Sequence, residues 1–474
     1  MLRLLSSLLC ILCVLASEHA WASAAVLTWD APTGNASPVL GYRLHYGVQP
    51  GLYTTHISVG DVTTYTLTGL SSSFLYYVAA TALYDAGESG FSNEVLINFA
   101  ASPQLGFYYL NTAGNDNNSC AAAQSQTTPK RTFASVLPCL AGGSTLFLFG
   151  GTYPESLDTA VVPIASGVSW AAATTIAAFP GHTVTLQPAS GGKPVIWIQA
   201  GSYMIFDHLI LDANNLSGTN GFATNVGADH IRFQNGEIKN TFYETFYVNQ
   251  GSHIEMLTSS LHNSATLSTI TVSGCDACVV HGNDIFSSSY EGISQRSGVA
   301  NSNLEISGNA VHNNGSASMS ASIVVKDGTG ALVMNNLVYA NSIGINVQSA
   351  ANGLKLYNNT VYGNTGVGLQ IDAGATGTLV NSNIVYNNGS AIVDNGAGTV
   401  QTTNVISDPL FVSAPTNFQL QSGSIARDTG TCLTEVPVDY VNLVRPQGAF
   451  CDVGAYERPI TAVPRPPTGL LVMF

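Results

Sequence analysis

Two basic side chains carry the chemistry that this sequence offers most directly, Arg296 and Lys326. The chain holds only fourteen Lys and Arg among 474 residues, so a Lys and an Arg held side by side would concentrate positive charge in a chain that has little of it. Such a pair suits β-elimination from a uronic-acid polysaccharide, a reaction that removes the proton next to a carboxylate. The carboxylate's charge has to be neutralised first, which a guanidinium does bidentately. An amine desolvated beside another cation gives up its proton more readily and serves as the base. The plain alternative is a pair of surface ion pairs, Arg296 with Glu291 and Lys326 with Asp327.

Whether the two meet depends on the elements that carry them, and those are repeats. Apolar residues Ile238, Leu261, Ile285, Val311, Val338, Val361 and Val385 recur at intervals of 23, 24, 26, 27, 23 and 24 residues. Each follows an apolar pair at a fixed offset, as in Ile231/Phe233 and Leu354/Leu356. A unit this short, made of three alternating stretches, cannot bury its own apolar face and must stack on its neighbours. Period-two alternation marks strands, so each unit is one coil of a parallel β-helix. Asn283, Asn309, Asn336, Asn359 and Asn383 fall at one corner of successive coils. Asn tolerates left-handed backbone angles, and its amide can hydrogen-bond to the next copy.

Alternation then assigns two outward columns on the strand after the next corner. The first is Tyr247, Thr271, Ser294, Val324, Asn346 and Gln370; the second is Asn249, Ser273, Arg296, Lys326, Gln348, Asp372 and Asp394. Neighbouring strands lie about 4.8 Å apart, which makes Arg296 and Lys326 neighbours. Tyr247, Asn249, Asn346, Gln348 and Gln370 are the expected substrate contacts. Asp372 and Asp394 offer oxygen ligands for a metal. Their expected separation matches a retaining glycosidase rather than an inverting one, and a calcium site or a solvated face is the better reading. Tyr243, Tyr247 and Tyr290 offer rings for stacking on sugars, or packing at corners. His208, His230, His253, His262, His281 and His312 sit at different offsets and show neither a metal triad nor an HExxH motif, so they read as polar corner residues.

Only 9% of residues are charged, against roughly 25% in ordinary domains. The formal charge of −14 makes a poor nucleic-acid binder. Residues 1–24 carry Arg3, an apolar run from Leu4 to Ala16 and small residues at Ala20, Ala22 and Ala24, the pattern of a cleaved secretory signal. No later stretch is apolar and long enough to span a membrane. Six cysteines remain after cleavage, an even number suited to an oxidising compartment. Cys120 with Cys139 and Cys432 with Cys451 read as local disulfide staples near the two ends of the solenoid. Cys275 and Cys278 read as a corner bridge or two buried thiols, because no βαβ pattern surrounds them.

Residues 25–100 alternate at sandwich-like spacing. Trp29, Leu70, Tyr76 and the run Gly90-Phe-Ser-Asn-Glu-Val95 resemble the core tryptophan, leucine, corner tyrosine and last strand of a fibronectin type III module. From residue 104 to 457 the chain resembles the right-handed parallel β-helix proteins related to pectate lyases. The resemblance lies in the opening Phe107-Tyr-Tyr-Leu-Asn-Thr-Ala-Gly-Asn-Asp116, Lys130-Arg-Thr-Phe133 and Gly150-Gly-Thr-Tyr153. It lies also in the closing Asp408-Pro-Leu-Phe411, Arg427-Asp-Thr-Gly430, Arg445-Pro446 and Asp452-Val-Gly-Ala-Tyr-Glu457. These ends read as caps, since terminal coils would otherwise expose strand edges. The resemblance implies a substrate groove along the two columns above, and lyase chemistry by Lys or Arg, often with calcium. Residues 458–474 are Pro-rich and read as a stiff linker, with Pro467-Thr-Gly-Leu470 resembling the start of a further fibronectin module.

The expected protein is all-β, a fibronectin type III sandwich followed by a right-handed β-helix, exported or at the cell surface. It acts on polysaccharide, with a uronate lyase as the enzyme reading and a glycoside hydrolase behind it. The rival class is a non-catalytic carbohydrate-binding, adhesion or structural protein, and fold alone does not choose between them.

Overall fold

A computed structural model of the chain describes residues 22–32, 38–48, 50–71, 76–84, 87–97, 106–296, 301–315, 320–348, 350–459 and 467–473. Apart from the backbone of Ala22–Ala24, the expected signal segment lies outside them. Two compact units result, residues 1–100 together with 464–474, and residues 101–463.

In the first unit, one sheet orders Thr64–Ser71, Ala22–Asp30 and Thr468–Met473, all antiparallel. The other is built on Gly41–Gly47 and Tyr76–Tyr84, with Thr55–Gly60, Gly87–Glu88 and Val95–Ile97 paired to them. Trp29 and Tyr42 meet edge-to-face in the core at 5.4 Å between ring centres. The strand Thr468–Met473 corrects the expectation of a linker over 458–474. Leu470 is fully buried in this unit's core, and the Asn93 side chain brackets it, donating to its carbonyl at 2.9 Å and accepting from its N–H at 3.1 Å. The Thr-Gly-Leu-Leu-Val-Met segment ends in a short apolar run that fits a pleated edge as well as it fits a linker, and the open edge of Ala22–Asp30 decides between them. Residues 460–466 lie outside the described residues.

The second unit is the solenoid. Ten parallel strands stack from Gly151–Tyr153 to Ile384–Tyr386 in one sheet, and the two other faces of each coil form a continuous second ladder. Inward residues of all three faces make one apolar column running from Tyr108 to Val385. The corner asparagines stack as the sequence indicates. Asn283, Asn309, Asn336, Asn359 and Asn383 each donate to the next Oδ1 at 2.9–3.0 Å, and Asn383 passes the chain on to Asn404. The second N–H of Asn336 reaches the Ile306 carbonyl at 2.9 Å, and its Oδ1 takes both the backbone and side-chain N–H of Asn309. All four hydrogen-bonding positions of the amide are thus filled. A second ladder that the periodicity did not reveal, Asn314, Asn341, Asn364 and Asn388, stands at the next corner.

Both ends are capped by polar groups. At the opening, Asp116 Oδ1 accepts from Ser135 Oγ at 2.6 Å and from the backbone N–H of Arg131 and Thr132 at 2.9 and 3.0 Å. At the close, Arg445 and Glu457 form an ion pair at 2.9 Å with 2% and 0% of their side chains exposed, and Arg445 also donates to the Asp452 and Gly454 carbonyls. Disulfides join Cys120 to Cys139 and Cys432 to Cys451, and Cys275 is joined to Cys278.

Asn336→Ala deprives the two Asn309 donors of their acceptor and the Ile306 carbonyl of its donor. It is expected to lower unfolding free energy by about 2–4 kcal/mol, while Asn395→Ala on the exposed side changes it by less than about 0.5 kcal/mol; urea titration of both variants checks this. Burial raises the Asp116 pKa, but hydrogen bonds from Ser135, Arg131 and Thr132 outweigh it and hold the carboxyl at about 2. The folded value lies below the unfolded one, so this group's contribution is complete above the ordinary carboxylate range and lost as pH falls toward 2. Thermal melts between pH 5 and pH 2 are therefore expected to fall less steeply for Asp116→Asn than for the unaltered chain.

Candidate functional site

The candidate groove face is formed by strands Phe246–Leu257, Ile270–Asp276, Ile293–Gln295, Ala321–Val325, Ile343–Val347, Val367–Ile371 and Ser390–Asp394. The first column stacks as expected, Tyr247 on Thr271, Ser294, Val324, Asn346 and Gln370, with Val393 as its last member. It is more covered than alternation suggests, since Thr271, Ser294, Val324 and Asn346 are all buried.

In the second column Asn249 pairs with Ser273, and the backbone N–H groups of Arg296, Gln348 and Asp372 donate to the carbonyls of Val272, Val325 and Val347, each one residue before the matching place one coil back. Ser294 pairs with Val324 two residues upstream of Arg296 and Lys326, which sets the two basic residues on adjacent coils. Arg296 is exposed and Lys326 half-buried.

Arg296 does not pair with Glu291, which instead accepts from Ser268 at 2.8 Å. Its Nη2 reaches back across two coils to Glu244 Oε1 at 2.7 Å, with Glu244 only 4% exposed at its side chain. Thr271 Oγ donates to the same oxygen at 3.1 Å, and Asn220 donates to the other at 2.9 Å. The guanidinium lies 5.7 Å from the Tyr247 ring centre. Burial raises the pKa of the Tyr247 hydroxyl against the opposing charge of Arg296. Glu244 escaped sequence analysis because it precedes the strand at a corner, outside both columns. The signal available was a lone carboxylate in a Tyr-Glu-Thr corner two residues before an inward Phe.

Along the rest of the face, Asn249 donates to Asn225 at 2.9 Å. Gln370 donates to Asp372 at 2.6 Å. Asn346 Oδ1 is buried with no hydrogen-bond partner among the described residues. Gln348 is half-buried. Tyr243 and Tyr290 are each 38% exposed.

Asp394 does not follow Asp372. It pairs with Ile371, in the inward register, and Asn395 takes the place opposite Asp372. Consecutive Ile392 and Val393 leave the alternation undecided at the last coil, and a one-residue slip turns every side chain to the other face. With no coil beyond it to cover this position, Asp394 is exposed. It closes its own turn, accepting from Gly396 N–H, Thr399 Oγ1 and Gln401 Nε2 at 3.0–3.1 Å. Asp372 and Asp394 therefore stand in different registers of adjacent coils, and not in one column as alternation indicated.

The histidines are not all solitary corner residues. His262 and His312 alternate with Phe286 in a stack on the Asn-ladder face, with ring centres 4.6 and 5.2 Å apart. His230 and His253 stand together beside Asp229.

Two family models match the chain, the fibronectin type III domain over residues 14–98 and the right handed beta helix region over residues 247–406. No curated protein has a matching sequence. Among solved structures, pectate lyase Pel9A superposes with a TM-score of 0.60 at 17% identity, covering 74% of this chain and 96% of its own. The Azotobacter vinelandii mannuronan C-5 epimerase AlgE4 A-module gives a TM-score of 0.46 at 16% identity, over 63% of this chain and 88% of its own. No helix among the described residues is long and apolar enough to cross a membrane. Sequence match, coil stacking and superposition on the first of these structures agree on the fold, a fibronectin type III module and a right-handed parallel β-helix.

Proposed function

We propose that the protein is exported and that its groove face binds an acidic, uronate-containing polysaccharide, which it cleaves by β-elimination. The observation that carries this reading is the position of Arg296 and Lys326 on adjacent coils of an otherwise base-poor face. Disulfides at both ends of the solenoid fit a protein that works outside a reducing compartment.

In this reading a uronate carboxylate meets the N–H groups of Arg296 that Glu244 leaves free. A guanidinium offers five donors in a fixed fork, so one edge can hold Glu244 while another takes the substrate. Lys326 acts as the base that removes the proton on the carbon next to that carboxylate. The electron pair forms the new carbon–carbon double bond, the bond to the leaving glycosidic oxygen breaks, and that oxygen takes up a proton. Tyr247 supports a sugar ring beside Arg296, while Asn249, Gln348 and Gln370 contact hydroxyls along the chain; Asn346, buried beneath them, does not reach the substrate.

A second reading has its own observation. Glu244 already neutralises part of the Arg296 charge, which suits recognition better than stabilisation of a developing dianion. A non-catalytic carbohydrate-binding or adhesion protein would keep the groove and lack turnover.

Incubation with a panel of uronate polysaccharides, followed by ultraviolet absorbance of an unsaturated product, separates the two. Lys326→Ala is expected to lower kcat by about 10²–10⁴-fold with KM little changed, as for loss of a general base. Arg296→Ala is expected to raise KM as well. Product formation that survives in Lys326→Ala would remove Lys326 from the mechanism, and binding without cleavage in the unaltered protein would establish the second reading.

A further inference from the structure

The corner that leads out of the groove face is left-handed coil after coil, with φ between 51° and 70° from Tyr203 to Gly398. Later coils place Gly there, at no steric cost, whereas an L side chain costs on the order of 1 kcal/mol. Three successive coils accept that cost for rings, at Tyr203, His230 and His253. The rings stack, with centres 4.3 Å apart between Tyr203 and His230 and 4.1 Å between His230 and His253.

Stacking alone needs no nitrogen, but here the nitrogens converge. His230 Nδ1 lies 2.8 Å from Asp229 Oδ2, and His253 Nδ1 lies 3.5 Å from Asp229 Oδ1. Both Nδ1 atoms are shielded from solvent, and neither has a well-aligned hydrogen bond among the described residues. One ligand atom from each of Asp229, His230 and His253 falls within 4.8 Å of the other two. Ser252 Oγ also donates to Asp229, which holds the carboxylate in place. Arg232, two residues beyond His230, is already compensated, since it pairs with Glu255 at 2.6 Å and lies over Trp170 at 4.2 Å, and the Trp170 indole meets the His230 ring edge-on.

Two imidazoles and one carboxylate are the donor set of a borderline divalent transition metal such as zinc. Calcium and magnesium prefer all-oxygen sites. We propose that Asp229, His230 and His253 form a site for one such ion, bridging two successive coils at the corner beyond Asn249. Both histidines would bind through Nδ1 as neutral imidazoles carrying their proton on Nε2. Three protein ligands leave a position for water or a sugar oxygen.

The test uses the full chain, purified without a polyhistidine tag, stripped with chelator and titrated calorimetrically with Zn²⁺ alone and with Co²⁺ alone. One ion per chain is expected, with a visible cobalt absorption band and a rise in melting temperature. His230→Gln and His253→Gln, shown to be folded by circular dichroism, are expected to weaken binding by more than the roughly 10–100-fold that loss of a mere supporting partner costs. His262→Gln, on another face, is expected to leave it unchanged. Failure of the unaltered chain to bind either ion, or binding in the two corner variants equal to the unaltered chain's, would overturn the site and leave a stacking ladder only.

Discussion

A buried carboxamide with all four hydrogen-bonding positions filled dictates how one coil sits on the next. Asn309, Asn336 and Asn359 reach that state only if each copy lies directly over its neighbour; a slip by one residue would bury unpaired amides at a cost of roughly 1–3 kcal/mol each. The apolar column inside the solenoid is tolerant by comparison, since Ile, Val and Leu exchange with small penalties. Register is therefore set by polar groups and compactness by apolar ones. The outward columns inherit that register, which is how residues about thirty positions apart in the chain come to share one surface.

On that surface the Glu244 carboxylate is the fixed point. It sits almost wholly buried and is held by Asn220 and Thr271 from two sides, so the exposed Arg296 is anchored at one end rather than free to wander. A long flexible cation is thereby given a defined direction, and the ordering entropy is met before any ligand arrives. The same logic runs at the neighbouring corner, where stacked rings and a shared carboxylate hold His230 and His253 in a backbone conformation that glycine adopts more easily.

Much of the fold was legible because its determinants repeat. The Asn corner and the inward apolar positions recur often enough to fix period, face and register without any long-range information. What was not legible occurs once. Asp394 was misassigned where two adjacent apolar residues made the alternation ambiguous. Glu244 lies at a corner, and only the folded chain shows that Arg296 turns back to it rather than toward Glu291. The Asp229, His230 and His253 cluster needs two coils stacked before it exists, so no spacing within one coil announces it. Thr468–Met473 reads as a linker until the unfilled edge of Ala22–Asp30, more than four hundred residues earlier, is known.

The account rests on the claim that the aligned basic column reads carboxylates. The most direct measurement is binding of one uronate polysaccharide to the unaltered protein, compared with the same polymer after chemical reduction of its carboxyls to primary alcohols. Binding to the acidic polymer that weakens with salt and disappears on carboxyl reduction is the predicted result. Equal affinity for both forms, or affinity for the reduced form alone, would contradict it.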